Sequence, residues 1–191
     1  MTPSNQSVSR LVLAGLVALA GVGFLAAQET RHETVNPSAN TADDAKPNSD
    51  AVPDVYSVPT DFERVITLRF KHKADLLAGL QKAVKQENIR NAVILSGLGS
   101  VISYHVHQVS NRTFPSKNVY VKDPTGAADL LTMTGYVIGG RVHAHVTLST
   151  PEKAFGGHLE PGTEVFTFAI VTIGVLSPAL DLSRLDDKAY R

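Results

Sequence analysis

The chain has 191 residues, room for one domain with extensions. Its 18 basic side chains balance 18 acidic ones, so no global field attracts nucleic acid or an anionic membrane. Cysteine is absent, which excludes disulfides, thiolate metal ligands, a cysteine nucleophile and a thioether lipid anchor.

In residues 1–27 Arg10 is the only charge, and residues 11–27 are uncharged and mostly apolar. This stretch predicts a targeting segment. Small residues at Ala18 and Ala20, or at Ala26 and Ala27, offer cleavage points. Cleavage would give an exported periplasmic or secreted protein; the alternative is an uncleaved anchor in the inner membrane with the domain facing outward. Residues 28–58 are rich in Pro, Asn, Ser, Thr, Asp and Ala and poor in large apolar groups. Such a segment cannot bury enough surface to offset the entropy of ordering, so a disordered linker is expected, with His32 solvated. The domain is then residues 59–191.

Residues 64–70 (RVITLRF) alternate as a first strand, and Lys71, His72 and Lys73 mark a solvated connection. Residues 74–86 read as an amphipathic helix, with Leu76, Leu77, Leu80, Ala83 and Val84 on one face. Asp75 can cap it and Asn88 can stop it. Residues 91–96 (NAVILS) form a short apolar run, expected as a central strand covered on both faces. Gly97-Leu98-Gly99-Ser100 is expected to turn the chain; neither a Walker motif nor a Gly-x-Ser-x-Gly elbow is present. Residues 101–109 (VISYHVHQV) alternate again, placing Ser103, His105 and His107 on one face. Residues 111–129 read as a long loop with a short strand at 119–121. Residues 164–176 (EVFTFAIVTIGVL) form the strongest strand, apolar on both faces and therefore expected centrally, with Pro178 ending it. Residues 181–191 predict a tail that packs over the sheet or across a subunit boundary.

The chemistry concentrates in residues 130–159 (LLTMTGYVIGGRVHAHVTLSTPEKAFGGHL). Gly139-Gly140 between two alternating runs predicts a two-residue hairpin. Ile138 then faces Arg141, Tyr136 faces His143, and Thr134 faces His145. These polar groups share one sheet face, while Met133, Val137, Val142, Ala144, Val146 and Leu148 take the core face. His143 and His145 have Cα atoms roughly 6.6 Å apart, close enough to converge on one ion. Gly156 and Gly157 allow a sharp bend, by which His158 could fold back over the hairpin as a third ligand. Three histidines with an open fourth position resemble a catalytic zinc site, although imidazole also suits nickel, copper and iron. Against this, a histidine on a strand is most often only a hydrogen-bonded, partly buried side chain. His105 and His107 are weaker candidates, read first as polar surface.

HAHVTLSTPEKAFGGHL, with LLTMTGYV before it, NAVILSGLGSV upstream and LSRLDDKAY downstream, resembles the PPC (plants and prokaryotes conserved) domain family over roughly residues 62–190. The resemblance implies an α+β (mixed α/β) domain with a mostly antiparallel central sheet and one main amphipathic helix, assembled as a homotrimer. It also implies that His143, His145 and His158 bind a metal, typically zinc. Plant members join this domain to AT-hooks that bind DNA, but no Arg-Gly-Arg-Pro core occurs here. Ile170 stands where bacterial members often carry a glutamate. Glu160 and Glu164 are the candidate general bases for metal-assisted hydrolysis. The alternatives are a DNA-binding protein, disfavoured by charge and export, and a non-catalytic module that binds a small ligand between subunits or mediates interactions.

Overall fold

The computed structural model describes residues 49–112 and 115–187. The expected targeting segment and most of the linker lie outside the described residues. Among the described residues no helix is long and apolar enough to cross a membrane.

One antiparallel sheet of eight strands carries the domain. The strands are β1 (Phe62–Lys71), β2 (Asn91–Val101), β3 (Tyr104–Val109), β4 (Asn118–Asp123), β5 (Ala128–Ile138), β6 (Arg141–Ser149), β7 (Ala154–Leu159) and β8 (Val165–Leu176), in the spatial order β1-β8-β2-β5-β6-β7-β3-β4. The one α-helix among the described residues, α1 (Leu76–Gln86), covers the inner face. Eleven residues make a marginal helix in isolation, so packing has to hold it. Leu76, Leu80 and Val84 are buried against the sheet, each contributing roughly 1.5–3 kcal/mol. Asp75 caps the helix as expected, its Oδ1 accepting from the Ala78 amide at 2.8 Å. Its Oδ2 accepts from the Gly162 amide at 2.6 Å, so one side chain ties the helix start to the loop before β8. Asn88 ends the helix region with φ 51°.

The hairpin forms in the expected register, with Ile138 opposite Arg141, Tyr136 opposite His143 and Thr134 opposite His145. Gly139 and Gly140 both take positive φ (59° and 79°), as a type I′ turn requires. The Gly140 amide also donates to the Arg90 carbonyl at 2.8 Å, which anchors the turn.

Four sequence expectations are corrected. Residues 97–100 do not turn the chain: β2 runs through them to Val101, and the reversal falls at Ile102 and Ser103. Gly97 is required there because a Cβ would lie 2.5 Å from that of Met133 on the neighbouring strand. Phe155-Gly156-Gly157-His158 is not a bend but most of strand β7, paired to β6 on one side and to β3 on the other. The apolar runs of β2 and β8 are covered on one face only within a single chain. Leu95 is 41% exposed and Leu98 53% exposed on β2, and Phe166 and Phe168 are exposed on β8. The short strand of the 111–129 loop is longer than expected and forms the sheet edge as β4.

Past β8 the chain folds back over the sheet. Leu182 is buried with Ile138 and Leu176 in a second small cluster, and a 3-10 turn follows at Ser183–Asp186. This is the expected tail, and it brings an acidic residue onto the histidine face.

Candidate metal centre

Strand register assembles the site. His145 on β6 pairs with His158 on β7, and His158 pairs with His107 on β3. Three imidazoles therefore stand side by side across adjacent strands, each about 4.8 Å from the next along the hydrogen-bonding direction. Tyr120 on β4 pairs with His107 and ends the row. His143 lies two residues before His145 on β6, on the same face. The ligand atoms of His143, His145 and His158 all lie within 4.8 Å of one another.

Nε2 of His143 lies 3.2 Å from Nε2 of His145. Tetrahedral zinc, with Zn–N of about 2.05 Å, holds its nitrogens about 3.3 Å apart. The His143 Nδ1–H donates to Oδ1 of Asp186 at 2.8 Å, which leaves the lone pair on Nε2. A carboxylate behind a ligating imidazole orients the ring and raises its basicity. The donor set thus fits a borderline divalent metal such as zinc. These residues line a pocket of about 770 Å³ together with His107, Arg141 and Asp186.

His107, His158 and Glu160 form a second group with ligand atoms within 4.8 Å. Here the His107 Nδ1–H donates to Glu160 Oε1 at 2.6 Å, and the His107 ring stacks on His158 with centroids 4.6 Å apart. Both groups share His158. The first group offers three imidazoles, whereas in the second Glu160 already accepts from His107.

Of the predicted site residues, the structure brings together His143, His145, His158, His107 and Glu160. His105 stands apart: its Nδ1–H donates to the Pro161 carbonyl at 2.9 Å, and it belongs to neither group. Glu164 is in neither group and forms an isolated bridge with Asp75 at the start of α1. Asp186 was not legible as a site residue, because nothing local connects a carboxylate in the tail to a histidine 43 positions earlier. Arg141 carries a visible signal, the alternation Arg141-x-His143-x-His145.

Burial and crowding disfavour the charged forms of His145 and His158. Burial lowers the pKa of His145, and the neighbouring His143 and His107 lower it further. For His158 burial acts first, then His107, His143 and His145, and the pKa falls to about 4 despite the opposing Glu160. An unfolded chain takes up that proton near the ordinary value of about 6.5, so below it the unfolded state binds more protons than the folded one. The metal-free protein is expected to keep its full stability above about pH 6.5 and to lose about 1–2 kcal/mol as the pH falls towards 4, allowing for solvent around the ring. Urea midpoints at pH 7 and 4.5 measure this. The difference should shrink in His158→Ala, and an undiminished difference there would assign the effect elsewhere.

A one-helix antiparallel sheet with imidazoles lined up across β6, β7 and β3 defines a small histidine-clustered α+β domain. Over residues 59–177 the chain matches the Plants and Prokaryotes Conserved (PCC) domain, and it belongs to that family. Its fold is similar to that of a plant- and prokaryote-conserved protein of Pyrococcus horikoshii, at TM-score 0.55 and 24% identity over 71% of this chain and 93% of that one. It is likewise similar to a metal-containing protein of Archaeoglobus fulgidus, at TM-score 0.59 and 20% identity over 71% and 95% of the two chains. Among curated proteins it is 27% identical over 147 residues to the bifunctional protein GlmU of a Synechococcus strain. That match takes in 75% of this chain but 22% of the relative, so the chain spans about a fifth of that protein's length.

Proposed function

We propose that this domain binds one divalent transition metal, zinc first, through His143, His145 and His158. The observation that carries the reading is the 3.2 Å approach of the His143 and His145 Nε2 atoms, with His158 completing the group. The similar fold of an archaeal metal-containing protein supports it. When bound with an open position, zinc lowers the pKa of a water to about 7 and polarises an oxygen ligand. Beside it, the Glu160 carboxylate that accepts from His107 would accept and return a proton, whereas Glu164 belongs to neither histidine group.

Elemental analysis of the purified full chain, incubated with zinc and desalted, tests the reading. About one ion per chain is expected. A chain that retains no metal would sink it.

The outer sheet face supports a second part of the proposal, self-association. Val65, Leu98, Phe166 and Phe168 are exposed apolar side chains on three adjacent strands, with Ile170 between Arg69 and Leu98 in the register. Tyr136, opposite Val93, continues this face to the histidines. Apolar patches of this kind mark interaction surfaces. A homotrimer, as the family resemblance implies, would cover the patch and place the metal centre near a subunit boundary. Sedimentation equilibrium should then give close to three times the chain mass of 20.4 kDa, and a monomer would refute this part. Export of the chain through residues 1–27 completes the reading; cell fractionation with recovery only from the cytoplasm would contradict it. A DNA-binding role is disfavoured by the balanced charge, which supplies no field for a phosphate backbone.

A further inference from the structure

We propose that the pocket beside the imidazole cluster takes a small carboxylate ligand, clamped by Arg141 while a second oxygen of the ligand reaches the metal. The inference rests on the metal reading above and names what that centre would act on or hold.

Arg141 is the first residue of β6, fixed by the Gly139-Gly140 turn and its bond to the Arg90 carbonyl. Alternation puts Arg141, His143 and His145 on one face, with neighbouring Cα atoms in that series about 6.6 Å apart. The Arg141 side chain lines the same pocket as the imidazoles and is exposed to it. Among the described residues its guanidinium makes no ion pair or hydrogen bond.

The pocket's other charge is already committed. Asp186 is the one carboxylate in the lining, and it accepts from His143. Gln108, Ser116 and Asn118 are neutral polar groups in the same lining. A metal and one free guanidinium therefore face a space of about 770 Å³, within the range of small-molecule sites. That charge balance asks for an anion.

The donor geometry selects the kind of anion. A guanidinium matches a planar carboxylate with two parallel hydrogen bonds. A phosphate dianion would call for further cationic donors, and the lining supplies neither a lysine nor a second arginine. The span from Arg141 to the imidazoles suits a ligand whose second oxygen lies one or two carbons from its carboxylate, a hydroxy or oxo acid.

The test uses the full chain loaded with zinc, with metal content measured before each titration. Calorimetry with lactate should show binding, and the neutral analogue lactamide should bind more weakly. Arg141→Gln should retain its zinc but bind lactate at least about tenfold more weakly, the loss of one charge-assisted pair. Equal lactate affinity in parent and Arg141→Gln would overturn the proposal, as would equal affinity for lactate and lactamide. Inorganic phosphate binding more tightly than lactate would overturn the carboxylate assignment. Zinc-loaded protein that ignores lactate would overturn the ligand proposal and leave the metal centre standing. A chain that takes up no zinc would overturn both, and the metal measurement tells these failures apart.

Discussion

His158→Ala is expected to lower zinc affinity by on the order of 10³-fold and to leave the purified chain with little retained metal. His158 is the one donor of the three-imidazole group that comes from outside β6. Without it, His143 and His145 remain as two donors on one strand, a set that cannot enclose an ion. Two companion variants show which group is used. His107→Ala should change affinity by less than about threefold if the ion is held by the three-imidazole group, to which His107 does not belong. Asp186→Ala should fall between, with a loss of about 10- to 100-fold, because it removes the carboxylate that orients His143. If His107→Ala instead matched His158→Ala while His145→Ala had no effect, the ion would belong to His107, His158 and Glu160.

The parts of this site that were legible in the sequence share one cause. Period-two alternation and a Gly-Gly turn fix a hairpin register without help from the rest of the chain, so the pairings of His143 and His145 could be read directly. His158 reaches the site along a strand and not around a bend. A glycine pair signals either a bend or a strand whose neighbours come close, and only the tertiary pairing of β7 between β6 and β3 decides between them. The same ambiguity hid the passage of β2 through Gly97. His107 could not be ranked above His105, since both alternate on the same strand; pairing with His158 selects His107 alone. The apolar run of β2 reads as a strand covered on both faces and that of β8 as a central strand, but within one chain only the inner face of each is covered. Periodicity reports what must be buried; it does not say whether the cover comes from the same chain.

Gly156→Ala should damage both the fold and the metal centre, and comparison with Gly157→Ala separates the two. A Cβ on Gly156 would stand 2.1 Å from the Val146 carbonyl oxygen, inside β6. A Cβ on Gly157, where φ is 159°, would stand 2.3 Å from the His107 carbonyl oxygen, inside β3. Both contacts are with backbone, so no side-chain rotation relieves them and the strands must part. Overpacking of this kind costs about 3 kcal/mol, enough to lower the melting temperature by roughly 10 °C in a domain of this size. The directions differ. Gly156→Ala drives β7 away from β6, which separates His158 from His145 and should reduce zinc affinity by about tenfold or more. Gly157→Ala drives β7 away from β3, which opens the His107–His158 stack but keeps His158 beside His145. It should therefore lose comparable stability with much less loss of zinc. Gly139→Ala is the control: no atom lies within 4 Å of its added Cβ, so only the left-handed φ of 59° penalises it, by about 1 kcal/mol. Thermal melts with and without zinc measure all three. If Gly157→Ala lost as much zinc affinity as Gly156→Ala, the ion would depend on the β3 side of the row, and the assignment to β6 and β7 would be wrong.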